Sequence, residues 1–203
     1  ADLGTEPRGT VRLTAPVDLG GLIAEPLGRF VRKYPQIHLD LVLTARLVDL
    51  VREGFDLAIR ASRLADSSLV ARKVGLFGSG LYASPAYLRK RGHPRALSDL
   101  AEHECLLFRA RGDTASWPLR GPKGEQHVTV RGSISVDDLS FIVSAAIAGL
   151  GIGYLPFALV APPLAEKKLV RVLPEFSWVF SDLSLVMPTG RPIPARVALL
   201  RAF

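Results

Sequence analysis

The feature that most constrains the fold is one continuous run, VDLVREGFDLAIRAS at residues 48–62. Its first apolar residues recur at helical spacing, and Gly54 then stands where a helix end favours a residue that can adopt positive φ. Residues 57–59 form a short apolar stretch typical of a buried strand in a parallel sheet, and Arg60 follows at its carboxyl end. Open α/β sheets bind ligands at that end. The run therefore predicts a helix, a stop and a strand that presents Arg60 to a ligand.

Strands and helices alternate on both sides of this run. Residues 10–15 and 37–43 alternate apolar and polar side chains as strands do, and residues 22–34 repeat apolar side chains at helical spacing. Short connections between such elements indicate parallel sheets, so we predict an α/β fold with two doubly wound lobes and a hinge. The further predicted elements are strands at 69–77, 81–84, 105–108, 128–136, 151–155, 169–173 and 183–187, a bend at 78–80, and helices at 85–91, 139–150, 156–161 and 193–203.

Composition narrows the class of protein. The formal charge is +7, but the arginines are scattered and no basic cluster alternates with aromatic residues, which disfavours direct nucleic-acid binding. Cys105 is the only cysteine and lies in an apolar strand, so it is predicted to be a core residue in a protein from a reducing compartment. We find no leader-like segment and no apolar run near 18 residues, and therefore expect a cytoplasmic protein with no membrane partner.

Enzyme motifs are absent from the sequence. The glycines of residues 149–153 follow a helix and precede a strand, the reverse of a dinucleotide-binding loop. The four histidines lack metal-ligand spacing, and no nucleophile motif occurs. We therefore predict no catalytic residue, no metal and no cofactor.

Six runs carry a resemblance to a known family. They are GTVRLTAP at 9–16, FVRKYPQIHLDL at 30–41, VDLVREGFDLAIR at 48–60, LYASPAYL at 81–88, AAIAGLGIGYLP at 145–156 and LVRVLPEF at 169–176. In this order they resemble the effector-binding domain of LysR-type transcriptional regulators. The resemblance implies a fold like that of type 2 periplasmic binding proteins, with lobe I at residues 1–77 plus 182–203 and lobe II at residues 78–181. It also implies that the family's N-terminal winged helix-turn-helix, through which DNA would be bound, is absent here.

The implied function is to sense an inducer, a small organic molecule such as an aromatic or aliphatic carboxylate, and to control transcription by changing dimer or tetramer geometry. The alternative is a solute-binding protein of a transport system, which shares the fold. The predicted ligand-binding residues follow the carboxyl ends of the strands. They are Pro16, Val17, Asp18, Thr44, Ala45, Arg60 and Ser62 in the first lobe, and Phe108, Arg109, Asp137 and Asp138 in the second.

Four of these residues have alternative roles or environments. Arg60 can bind a carboxylate in a fork or pair with a local carboxylate, such as that of Asp56 or Asp18. Thr44 can contact the ligand or cap a helix beginning near Arg46, and the cap is favoured. Asp138 is also predicted to cap the helix at 139–150. Asp137 adds negative charge where an anion would bind, unless it points away or pairs with an arginine.

The predicted helix at 139–150 is apolar almost all round. Such a helix is buried on several sides. The resemblance implies that one side packs against the helix around Phe30 of a second subunit, giving an antiparallel homodimer, and a tetramer in the full-length protein. The alternative is burial within its own lobe beneath residues 156–161.

Overall fold

The computed structural model describes residues 7–61, 69–190 and 192–203. The chain forms two compact units, Ala1–Leu76 with Ser181–Phe203, and Phe77–Phe180. No helix within the described ranges is long and apolar enough to span a membrane. The elements are β1 Gly9–Ala15, α1 Gly20–Lys33, β2 Ile37–Leu43, β3 Leu57–Ala61, β4 Leu69–Ala83, α2 Pro85–Arg91, β5 Cys105–Phe108, β6 Thr114–Gly121, β7 Gly124–Arg131, β8 Ile134–Val136, α3 Leu139–Ile147, β9 Ile152–Pro156, α4 Phe157–Ala165, β10 Val170–Pro188 and α5 Ala195–Ala202, with short 3-10 helices at Val17–Leu19 and Leu97–Glu102.

The first unit is built on the strand order β2-β1-β3-β10. Strand β1 runs parallel to both neighbours, and β10 is antiparallel to β3. Helices α1 and α5 contribute Phe30 and Val197 to one core, which covers the side of the sheet that carries Leu13 and Leu57. The ring of Phe30 lies 5.0 Å from that of Tyr34, centroid to centroid. The predicted α/β class is thus confirmed, with apolar strand positions facing amphipathic helices.

The other side of this sheet is covered by a turn where the sequence predicted a helix. The helix prediction at residues 48–54 is wrong. The Asp49 side chain accepts hydrogen bonds from the Val51 and Arg52 amides at 3.1 and 3.0 Å, so the first turn is capped there. Gly54 has φ of 70°, and the Phe55 amide donates to the Leu50 carbonyl at 2.8 Å, which closes the turn. The predicted stop at Gly54 is confirmed. The cap at Asp49 and the stop at Gly54 are so close in sequence that only a single turn fits between them.

The second unit is built on the order β4-β9-β5-β8. Strands β9, β5 and β8 are parallel, and β4 is antiparallel to β9. Helices α3 and α4 pack on one face of this sheet. The other face carries α2, the 3-10 helix at Leu97–Glu102 and the antiparallel hairpin β6–β7. Cys105 is buried in this second core, as predicted, and burial raises the pKa of its thiol to about 12.

Several boundaries differ from the prediction. The expected bend at residues 78–80 is absent, since β4 is continuous, and the predicted strands at 169–173 and 183–187 are parts of the single strand β10. The reason for the glycine at 78 is close packing, because a β-carbon there would stand 2.5 Å from the Trp178 carbonyl oxygen and 2.7 Å from the Phe157 ring. The predicted strand at 128–136 is divided at Gly132 into β7 and β8, and strand β6 was not predicted.

Candidate functional site

The predicted site residues of the first unit lie at one edge of its sheet. The Thr44 amide donates to the Ala15 carbonyl at 3.0 Å, so the ends of β1 and β2 are adjacent. Thr14 pairs with Ala58, which places Arg60 two residues further, beside Pro16. The structure thus brings Pro16, Val17, Asp18, Thr44, Ala45 and Arg60 to the carboxyl edge of the parallel strands. Ser62, also predicted here, lies outside the described residues.

Arg60 supports the turn that precedes it. Its guanidinium donates a hydrogen bond to the Val48 carbonyl, a contact that neither expected role included. Asp56, one of the expected partners, accepts a hydrogen bond from the Arg12 amide at 2.9 Å. Arg60 also borders an open concavity of about 480 Å³ on the first unit. The other residues that line this concavity are Leu47, Val48, Asp49, Leu50, Val51, Arg52 and Leu69.

Thr44 has the capping role that the sequence favoured, but it caps a turn. Its Oγ1 accepts a hydrogen bond from the Arg46 amide at 3.2 Å. Arg46 in turn binds the Glu53 carboxylate through both terminal nitrogens, with one bond of 2.8 Å. This pairing lowers the pKa of Glu53 from its ordinary value. The residues after β2 are therefore ordered by local polar contacts and not by a helix.

Arg12, which the sequence analysis did not single out, links strand β2 to the turn that precedes β3. Its Nε donates to the Asp40 carboxylate at 2.8 Å, and its Nη1 donates to the Glu53 carbonyl at 2.7 Å. The guanidinium also lies 4.8 Å from the centre of the Phe55 ring. A sequence signal existed, because Arg12 and Asp40 are both polar positions of adjacent parallel strands and stand opposite each other in the register.

In the second unit, Phe108 and Arg109 lie at the end of β5. Phe108 pairs with Val136 of β8, and the Arg109 amide donates to the Val136 carbonyl at 2.8 Å. Arg109 has φ of 50°, a left-handed conformation that costs a non-glycine residue roughly 1 kcal/mol. Its guanidinium lies 5.1 Å from the centre of the Phe108 ring, which is 39% exposed. A strained, cationic residue thus stands on an exposed aromatic ring at this edge.

Asp137 and Asp138 follow β8 at the same edge. Asp138 caps α3 as predicted, since its Oδ1 accepts hydrogen bonds from the Ser140 and Phe141 amides at 2.6 and 3.1 Å. Its charge is thereby balanced by the start of the helix. Asp137 is exposed, so the cost of a buried extra carboxylate does not arise.

The prediction omitted one strand end. Strand β9 is parallel to β5, with Leu106 opposite Gly153, so Pro156 and Phe157 reach the same edge as Phe108. The rule that selected the other strand ends also applies here. The omission came from treating the proline after this strand only as the start of a helix.

His103 lies outside the predicted site and belongs to a buried hydrogen-bonded group. Its Nδ1 is 3.1 Å from the Tyr87 hydroxyl, which accepts a hydrogen bond from the Glu104 amide at 3.0 Å. Burial lowers the pKa of His103, and the nearby charge of Arg91 adds to this effect, while Asp99 and Glu102 oppose it. Among the residues that the structure describes, no three His, Cys, Asp or Glu side chains are grouped to hold a metal.

We expect His103 to make the protein less stable in mild acid. Because its pKa is lower in the folded state, the unfolded chain takes up the proton first as the pH falls through about 6.5. The stability that neutral His103 contributes is therefore complete above that value and is lost progressively below it. Urea unfolding between pH 5 and pH 8 should show that His103→Asn, whose amide oxygen can accept from Tyr87, has a flatter profile. The exposed His93→Asn is the control, and equal slopes for both variants would rule out this assignment.

Comparisons with known proteins agree with this geometry. Residues 4–203 match the model of the LysR substrate binding domain. The chain is 32% identical over 195 residues to the HTH-type transcriptional regulator PgrR of Escherichia coli, covering 94% of this chain and 65% of that protein. It is 30% identical over 191 residues to an uncharacterized HTH-type transcriptional regulator of Haemophilus influenzae, covering 94% of this chain and 66% of that one. The chain thus spans just under two thirds of these relatives.

Solved structures show the same likeness. The regulatory domain of AphB from Vibrio vulnificus superposes with a TM-score of 0.85 at 28% identity, covering 98% of both chains. The regulatory domain of CrgA from Neisseria meningitidis, described as a LysR-type transcriptional regulator, has a TM-score of 0.77 at 28% identity, covering 97% of this chain and 99% of that one.

Proposed function

Because the chain belongs to the LysR substrate binding domain family, we propose that it is the part of a transcriptional regulator that binds a small organic carboxylate as effector. Binding shifts the population of conformations and so changes the geometry of the oligomer, without catalysis. DNA is contacted by a further domain outside this chain, in the cytoplasm. The same fold serves in solute-binding proteins of transport systems, but the relatives are described as transcriptional regulators, which favours the regulator.

The observation that best supports a carboxylate as the effector is the conformation of Arg109. A glycine would occupy φ of 50° without cost, and the presence of an arginine there motivates a role for its side chain. It lies at a carboxyl strand edge, where α/β sheets bind ligands, and it rests on the exposed Phe108 ring. A guanidinium beside an aromatic face suits an acid that has an apolar body. At the edge of the first unit's sheet, Arg60 and Thr44 stay predictions as ligand contacts.

The test distinguishes the effect of the Arg109 backbone conformation on stability from the effect of its side chain on ligand binding. Arg109→Gly removes the strain and should raise the melting temperature, yet it should weaken the binding of organic acids by about tenfold or more, equivalent to about 1.4 kcal/mol. Arg109→Gln should weaken binding to a similar degree without the gain in stability. Isothermal titration calorimetry measures the affinity.

The matched control is Arg120→Gln. Arg120 also stacks on an aromatic ring, that of Trp178 at 5.3 Å, but it lies in hairpin strand β6. This variant should bind acids as tightly as the wild type. Equal affinities for the Arg109 and Arg120 variants would contradict the proposed role of Arg109.

We also propose a homodimer through α1 and α3. Helix α3 ends at Ile147, not at residue 150, and only its Leu139, Ile142, Ala145 and Ala146 side is buried within the unit. The alternative of burial wholly within its own lobe is disfavoured, since Phe141 and Leu150 are each 48% exposed. Leu22 of α1 is similarly exposed. Exposed apolar residues on both helices support an isologous contact between α3 and the helix around Phe30, with a tetramer in the longer protein.

Sedimentation velocity tests the dimer. The wild-type chain should sediment as a dimer at micromolar concentration, and Phe141→Asp should sediment as a monomer. A wild-type monomer under these conditions would exclude this interface.

A further inference from the structure

The concavity beside Arg60 has the size and the apolar lining of a small-molecule site. Its volume of about 480 Å³ falls within the range of about 300–1,000 Å³ that is typical of ligand pockets. Val48 and Leu50, which are 4% and 2% exposed, line it and belong to the core that also contains Ala58. All of its described lining residues belong to the first unit, and none of them is aromatic. The lining therefore suits an aliphatic molecule, since it offers no ring for stacking.

Two large apolar side chains at this concavity are exposed to water. Leu47 is 79% exposed and Val51 is 47% exposed, and both lie on the turn that precedes β3. The turn is closed by polar contacts, such as the cap by Asp49, so its closure does not depend on these side chains. A ligand that covers them gains from the removal of apolar surface from water.

Arg60 adds a positive charge that no carboxylate balances within the described ranges. There, no carboxylate oxygen forms an ion pair with its partly buried guanidinium. Two acidic side chains of the turn are engaged elsewhere. Asp49 accepts hydrogen bonds from two amides of the turn and lies 3.6 Å from the Arg52 Nε, and Glu53 binds Arg46. An unbalanced guanidinium beside an apolar concavity favours an anionic group.

We propose that this concavity is a second binding site, which takes an aliphatic monocarboxylate. The carboxylate pairs with Arg60, and the hydrocarbon chain lies on Val48 and Leu50 beneath the exposed side chains of Leu47 and Val51. Arg60 keeps its bond to the Val48 carbonyl, because a guanidinium carries five donors. The inference goes beyond the proposed function, since the site lies in the first unit and Arg109 takes no part in it.

The test uses octanoate and octanamide, which have the same carbon chain and differ in charge. Calorimetry on the Arg109→Gly chain, in which the other proposed contact is removed, should still show octanoate binding. Octanamide should bind this chain about tenfold more weakly or worse, because it cannot pair with Arg60. Nuclear magnetic resonance locates the site, since octanoate should shift the amide signals of residues 47–52.

Leu47→Glu in the same Arg109→Gly background tests the concavity without risk to the fold, because Leu47 is largely exposed. The new carboxylate repels the ligand, so octanoate should bind at least about tenfold more weakly. Arg60→Gln should weaken binding to a similar degree. Ile193→Glu is the matched control, since it makes the same change of charge at a 42% exposed residue of the first unit that does not line the concavity.

Three results would overturn the second site. They are no octanoate binding by the Arg109→Gly chain, equal binding of octanoate and octanamide, and equal affinities of the Leu47→Glu and Ile193→Glu chains. Complete loss of acid binding in the Arg109→Gly chain would reject this site and still support the proposed role of Arg109. Unweakened binding of aromatic acids by the same chain would reject that role and leave the octanoate result as evidence for the second site.

Discussion

Gly132→Ala is expected to lower the free energy of unfolding by about 3 kcal/mol or more. A β-carbon on Gly132 would stand 1.7 Å from the Cys105 carbonyl oxygen, a backbone atom that no side-chain rotation can move. Overpacking of this kind commonly costs about 1–3 kcal/mol, and contact with backbone places it at the upper end. The residue separates β7 from β8, and its amide donates to the Asp113 carbonyl at 2.9 Å. Urea unfolding followed by circular dichroism measures the loss.

The matched control is Gly21→Ala. Gly21 lies in α1 with no neighbouring atom within 4 Å of its β-carbon position. Alanine there should raise the free energy of unfolding by up to about 1 kcal/mol, because it reduces the freedom of the unfolded chain. A Gly132→Ala protein as stable as the wild type would contradict the packing of the β8 start against β5.

Arg12→Met should loosen the turn that leads into the candidate site. The change keeps an apolar stem beside Phe55 but removes the donors to the Asp40 carboxylate and the Glu53 carbonyl. The Arg12 and Asp40 side chains are 40% and 42% exposed, so solvent screens the ion pair. We therefore expect a loss of about 1–2 kcal/mol, most of it from the hydrogen bond to the carbonyl.

Hydrogen exchange locates the effect of Arg12→Met. The amides of Gly54 and Phe55, which close the turn, should exchange faster, while amides of the second unit should keep their wild-type rates. Arg29→Met is the control, because Arg29 makes a weak 4.0 Å contact with Glu25 on the surface of α1. Unchanged exchange at Gly54 in the Arg12 variant would show that this network does not hold the turn.

The sequence predicted those features that depend on local patterns. Apolar alternation identified β1 and β2, and glycine chemistry placed the stop at Gly54. The strand-end rule placed Arg60 at the edge of its sheet and Arg109 at the edge of the other. Features that depend on distant residues were not predictable in this way.

Three features could not be predicted because they depend on contacts between distant residues. The helix expected at residues 48–54 is replaced by a turn, because Asp49 and Gly54 cap and stop it and Arg12 binds its carbonyls. Gly78 and Gly80 suggest a bend by composition, but aromatic rings from elsewhere in the chain occupy the space of their side chains. The role of Arg60 as donor to the Val48 carbonyl depends on that turn, so a sequence pattern cannot distinguish it from a ligand contact.

A thermal-shift screen of organic acids on the wild-type chain tests the central claim most directly. A carboxylate that binds the folded domain at a concentration one hundred times its dissociation constant adds about 2.7 kcal/mol of stability. For a chain of this size, that gain corresponds to a rise of roughly 5–10 °C in melting temperature. We expect such a rise with at least one aliphatic or aromatic carboxylate, and none with the matching uncharged amides. A panel in which no acid shifts the transition, or in which amides act equally well, would contradict it.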